Sequence, residues 1–146
     1  LQQDGLIALA AGIHADKAVR QVQVETSGTI APRPALSAVI TLYCVSPKLS
    51  NSGLRRHQRI RPGVLRDFAA TGKASFKFVV CDPADLDEIS RITAECALEP
   101  VWVMPEGRDS ATILARMREL AGPVAARGWN LTPRLQVLLW EDGRAH

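Results

Sequence analysis

The chain has 146 residues, 47% of them hydrophobic, a net charge of +3 and a pI near 9.0. That length suits one globular domain over 1–146, with a core built mostly of aliphatic residues and alanine because aromatics are only 5%. No apolar run reaches membrane-spanning length, no basic segment precedes an apolar one as in a signal peptide, and three widely spaced cysteines make neither a disulfide framework nor a C-x-x-C metal site. The expectation is a soluble cytoplasmic protein with no membrane contact.

In chain order, residues 6–19 carry apolar side chains at helical spacing, with Asp4 as a candidate N-cap. Residues 22–25, Val-Gln-Val-Glu, alternate as a short strand does. The β-branched run 38–45 predicts a strand covered on both faces. Residues 49–60 read as a polar loop. Pro62 opens a helix through 70, and 76–80 form the next strand. Asp82-Pro83 introduces a helix over 84–97, and 101–104 form a strand. A helix covers 110–127 with Gly128 as its cap, and 135–140 form the last strand. Strands alternating with helices predict an α/β fold with a mostly parallel sheet.

Ligands of such sheets bind at the carboxyl ends of the strands. Four predicted ends carry distinctive residues: Glu25 to Thr29, Ser46-Pro47-Lys48, Met104-Pro105-Glu106-Gly107 and Trp140-Glu141-Asp142. Glu25 can pair with a ligand ammonium, while Ser27 and Thr29 can donate to a carboxylate. An ordinary turn with Glu25 in water explains the same residues. Lys48 can hold a carboxylate or phosphate, and Pro47 restricts the backbone that aims Ser46 and Lys48. A surface lysine in salt contact is the plain alternative. Met104 can pack on the face of a base and Glu106 can accept from an amine on it; a strand stop before a helix also accounts for them.

The cluster Arg55, Arg56, His57, Arg59 and Arg61 reads either as a solvated loop or as a surface for an anion or RNA, without the interleaved aromatics that RNA binding favours. His14, His57 and His146 are not spaced as metal ligands. Residue chemistry alone supports an α/β domain whose polar rim suits an amphoteric small molecule.

Taken in order, "VETSGT" (24–29), "VSPKLSNSG" (45–53), "FKFVV" (76–80), "VWVMPEG" (101–107) and "RGWNLTPRLQVLLW" (127–140) resemble the later, C-terminal part of 7-carboxy-7-deazaguanine synthase, a radical S-adenosylmethionine lyase of queuosine and deazapurine biosynthesis. The likeness runs through essentially the whole chain. It implies a partial, incomplete β/α barrel of radical S-adenosylmethionine type lacking its first strands. The implied reaction converts 6-carboxy-5,6,7,8-tetrahydropterin to 7-carboxy-7-deazaguanine, using S-adenosylmethionine, a [4Fe-4S] cluster and Mg²⁺ in a homodimer. It implies S-adenosylmethionine contacts from Ser46, Pro47 and Lys48, from Met104, Pro105 and Glu106 near the adenine, and from Glu25 and Ser27 beside the methionyl part.

The departures are specific. The family's C-x-x-x-C-x-x-C loop and "GGEP" strand end are absent from the sequence, so the ligands of the cluster and of Mg²⁺ are not here. The chain opens on leucine, as if just after that motif. Gln136 stands where many relatives have histidine. These features imply a fragment or split subunit that turns over only with a chain supplying the missing strands. A non-catalytic remnant that binds S-adenosylmethionine or a nucleotide is the alternative, and an unrelated α/β protein binding an anion through 55–61 is a third.

Overall fold

The structure is a computed structural model that describes residues 3–14 and 21–141. A five-stranded sheet runs β1 (Gln23–Thr26), β2 (Leu42–Val45), β3 (Ala74–Val80), β4 (Val101–Pro105) and β5 (Asn130–Leu131), in chain order and parallel throughout. The helices are α1 (Gln3–His14), α2 (Pro34–Val39), α3 (Arg56–Arg59), α4 (Pro62–Ala70), α5 (Asp85–Cys96), α6 (Ser110–Ala125) and α7 (Leu135–Trp140). Parallel crossovers share one hand, and here each steps the same way, so the helices gather on one face.

Burial alternates along β3. Ala74, Phe76, Phe78 and Val80 are buried, whereas Ser75, Lys77 and Val79 are only partly covered. The buried set joins Tyr43, Val45, Val101 and Val103 in one cluster with Leu65, Phe68, Leu86, Ile89, Ile92 and Leu120 from the helices. The other face carries Glu25, Cys44, Lys77, Trp102 and Met104 in register across the strands. Lys77 and Met104 there are half-buried, and Glu25 and Trp102 are exposed. The second strand is buried on both faces, as expected, since Tyr43, Cys44 and Val45 are all buried, but helices pack only one face of the sheet and the other is open around Glu25 and Trp102. No helix among the described residues is long and apolar enough to cross a membrane.

Several boundaries differ from expectation. The first helix begins at Gln3, which puts Asp4 in its first turn beside Arg33 rather than at the cap; residues 15–19 of the expected helix lie outside the described residues. Pro34 at the first helical position turns the start of the expected strand into α2, leaving β2 to begin at Leu42. The expected loop 49–60 holds a 3₁₀ turn at Ser50–Ser52 and the short α3. The largest correction is at the end. Residues 135–140 form α7, not a strand, and β5 is the pair Asn130–Leu131. Thr132 makes the last bond to β4, donating to Val103 O, and Pro133 follows. A six-residue apolar run does not by itself distinguish strand from helix.

The loop after β2 is tied to α5 by an ion pair between Arg59 Nη1 and Glu88 Oε1 at 2.6 Å, with side chains 6% and 15% exposed. Burial pushes the Glu88 pKa up, but hydrogen bonds from the Ser50 backbone, the Ser50 hydroxyl and Arg59 outweigh it, so the carboxyl titrates below the ordinary 4.5. A depressed carboxyl stabilises the fold fully above its unfolded value and loses that contribution as pH falls through its folded value. Glu88→Gln should therefore lower stability at neutral pH and reduce the further loss below about pH 4.5, read from urea unfolding across pH.

Gly28 has φ +72°, and a Cβ there would lie 2.7 Å from Val45 Cγ1 and 2.8 Å from Leu65 Cδ2. Both neighbours are fully buried. Gly28→Ala should lower the unfolding free energy from urea denaturation by roughly 2–4 kcal/mol, because backbone strain and overpacking add.

Candidate functional site

The bare face and the carboxyl ends of β1, β2 and β4 meet in a pocket of about 360 Å³. Its walls include Glu25, Ser27, Ser46, Lys48, Lys77 and Met104. Three elements place these groups. After β1 the chain turns tightly: Gly28 N donates to Thr26 Oγ1 at 3.2 Å, and the Ser27 and Thr29 hydroxyls lie 3.0 Å apart. After β2, Ser46 N donates to Thr26 O at 2.7 Å, which joins the two strand ends. Pro47 is buried beneath, Leu49 is 2% exposed, and Lys48 between them reaches solvent. In β4, Met104 lies opposite Val79 with its side chain on the bare face.

Of the residues singled out from sequence, Glu25, Ser27, Ser46, Lys48 and Met104 line this pocket together. Pro47 and Pro105 are buried and do not line it. Glu106 is held elsewhere: Arg116 Nη1 donates to its Oε2 at 2.8 Å and also to its backbone oxygen. Arg134 Nη1 donates to Gly107 O at 2.9 Å, fixing the same turn. The fourth expected rim segment is not a strand end. Glu141 follows α7 and accepts from the Ser110 amide and hydroxyl at 2.8 Å each, and Asp142 lies outside the described residues. Gln136 sits on α7, exposed, rather than on a final strand.

Lys77 was not singled out, although the alternation in Phe76-Lys77-Phe78 signals that it faces away from the core. Its Nζ is 3.2 Å from Glu25 Oε1. Burial pulls the Lys77 pKa down, but the Cys44 sulfur, once ionised at high pH, and the Glu25 carboxylate outweigh it and raise it. Burial pushes the Cys44 thiol up, against the opposing pull of Lys77, so Cys44 stays a neutral thiol. The pocket thus presents one carboxylate, two ammonium groups, three hydroxyls and a thioether. That set suits a ligand bearing both an anionic and a cationic group plus an apolar surface.

The residues do not fit an iron–sulfur cluster. Cys44 is in the sheet, Cys96 is buried on α5, and Cys81 is exposed beyond β3. Among the described residues no three His, Cys, Asp or Glu side chains gather as a metal site. The basic cluster is likewise not a continuous free surface. Arg59 is buried against Glu88, and Arg56 pairs with Glu95 at 2.6 Å. A larger cleft of about 800 Å³ lies at the amino ends of β4 and β5, between Ala97, Pro100 and Trp129. Binding sites of parallel sheets sit at the other end.

No family model matches the sequence. The chain is 32% identical over 145 residues to a 7-carboxy-7-deazaguanine synthase of Pyrobaculum aerophilum, covering 98% of this chain and 61% of that one. It is 37% identical over 142 residues to a 7-carboxy-7-deazaguanine synthase of Halobacterium salinarum, covering 82% of this chain and 54% of that one. The chain therefore spans somewhat more than half the length of these relatives. Its fold is similar to that of Streptococcus suis SuiB, with a TM-score of 0.55 at 14% identity over 94% of this chain and 37% of SuiB. The form bound to S-adenosylmethionine matches with a TM-score of 0.53 at 12% identity over 99% and 39%, and the form bound to precursor peptide SuiA with 0.56 at 13% over 94% and 36%. The expected α/β class with a parallel sheet is the fold observed, and it is shared with SuiB. Over nearly all of its own length, the chain is a homologue of part of the 7-carboxy-7-deazaguanine synthases.

Proposed function

We propose that the chain is the S-adenosylmethionine-binding, C-terminal part of a 7-carboxy-7-deazaguanine synthase. The observation that carries this reading is the pocket itself. Glu25, Ser27, Ser46, Lys48 and Met104, taken from three separate motifs, line one space of about 360 Å³. In this reading Glu25 accepts from the ligand ammonium, Lys48 and the hydroxyls of Ser27 and Ser46 meet its carboxylate, and Met104 packs against its apolar surface. The likeness to two named synthases and to a fold solved with S-adenosylmethionine supports it.

Conversion of 6-carboxy-5,6,7,8-tetrahydropterin, with loss of ammonia, belongs to the whole assembly in this proposal. The [4Fe-4S] and Mg²⁺ ligands come from a part outside this sequence. Among the described residues β1 is an edge strand, and an apolar groove of about 430 Å³ beside it is lined by Leu6, Val24, Leu36 and Phe68. A partner chain or segment supplying further strands would pair there. A second reading, a binding module without turnover, draws on the scattered positions of Cys44, Cys81 and Cys96.

Calorimetric titration of the full chain tests the binding claim. Wild type should bind S-adenosylmethionine, and Lys48→Ala should weaken it roughly tenfold, the loss of one charge-assisted contact. No heat with wild type would remove both readings. Turnover after adding a separately expressed cluster-bearing segment would decide between them.

A further inference from the structure

The basic run 55–61 plays no part in the pocket walls, yet Arg59 within it is only 6% exposed. Its guanidinium reaches three acceptors. Nε donates to Leu54 O at 3.1 Å, and Nη1 donates to Lys48 O at 3.0 Å and to Glu88 Oε1 at 2.6 Å. Lys48 and Leu54 are the two ends of the loop that follows β2, so one side chain ties both ends together. Glu88, on α5, uses its second oxygen on the middle of the same loop. Its Oε2 accepts from Ser50 N at 2.9 Å and from Ser50 Oγ at 2.7 Å. Next to it, Asn51 Nδ2 donates to Asp85 Oδ2 at 2.8 Å and to Val79 O at 3.2 Å.

This arrangement differs from an anion-binding surface, where Arg59 would face solvent. Nor is net stability its main effect, although removing one partner destabilises the fold. Desolvating both partners costs much of what their attraction returns, so a buried ion pair is a poor source of net stability. What it provides is direction. A planar guanidinium with fixed donors can span two carbonyls and a carboxylate, whereas an ammonium has no such fork. The residue whose backbone it grips is Lys48, the exposed cation of the pocket.

We propose that Arg59 and Glu88 are positioning residues: they fix the loop that aims Lys48 into the pocket, and act on ligand binding only through Lys48. The proposal rests on the reading of the pocket as an S-adenosylmethionine site.

A double-mutant cycle on the full chain tests it, with S-adenosylmethionine affinity measured for wild type, Arg59→Lys, Lys48→Ala and the double variant. Arg59→Lys alone should weaken binding roughly tenfold, and should add nothing once Lys48 is alanine. An equal loss in both backgrounds would overturn the proposal, because a general structural defect would not depend on Lys48. Glu88→Gln, a milder change, should show the same dependence with a smaller loss, on the order of threefold. Amide hydrogen exchange supplies a readout without ligand. Both variants should speed exchange at Ser50 roughly tenfold relative to β3 amides, and unchanged exchange there would overturn the proposal. If wild type binds no S-adenosylmethionine, faster exchange at Ser50 in the two variants would still support the clamp while the cofactor reading is rejected.

Discussion

The stepwise order of the sheet is the constraint from which the rest follows. Each strand lies beside its neighbour in sequence and runs parallel to it. Crossovers of one hand, always stepping the same way, must then stack their helices on one side. The helices bury Phe76, Phe78, Val80, Val101 and Val103 completely or nearly so, and the opposite side chains of the same strands are left without helical cover. A lysine at position 77 between two phenylalanines is tolerable only on such a face. In a sheet covered on both sides its ammonium would be desolvated, at a cost far above that of a half-exposed ion pair with Glu25.

That ion pair stabilises the fold little. The Glu25 side chain is 69% exposed, and pairs of this kind contribute about 0–1 kcal/mol. Its interest is chemical, since it keeps a carboxylate and an ammonium side by side in a polar pocket. The rigid parts of the rim lie just outside the pocket walls. Gly28 allows the first turn to press against Val45 and Leu65. Buried Pro47 and Leu49 anchor the second strand end on either side of Lys48. Arg116 and Arg134 hold the Glu106-Gly107 turn through backbone oxygens. Side chains available to a ligand are thus carried on backbone fixed by other residues, which favours binding by reducing the ordering needed on association.

Glu106 shows how neighbours reassign a residue. At the end of an apolar strand it reads as a free acceptor. In the fold, the guanidinium of Arg116 comes from the facing helix α6 and occupies one carboxylate oxygen. Arg59 shows the converse, since a residue inside a basic run becomes a buried structural hub. Charges along a sequence do not tell which will be solvated, because the deciding partner, here Glu88 on another helix, is remote in the chain.

The sequence by itself determined the alternation of strands and helices, the parallel class and the residues that end β1, β2 and β4, because periodicity, proline and glycine act locally. It was enough to bring Glu25, Ser27, Ser46, Lys48 and Met104 forward, in a group that also held Pro47, Pro105 and Glu106, which do not line the pocket. Tertiary structure alone decided the remainder. It made 135–140 a helix: β5 ends at Leu131, Thr132 makes the last bond to β4, and the apolar run then packs beside α6 instead of joining the sheet. It placed Lys77 beside Glu25, buried Arg59 against Glu88, and set Arg116 on one oxygen of the Glu106 carboxylate. Those outcomes depend on which groups become neighbours across distant segments, and local sequence carries no record of that.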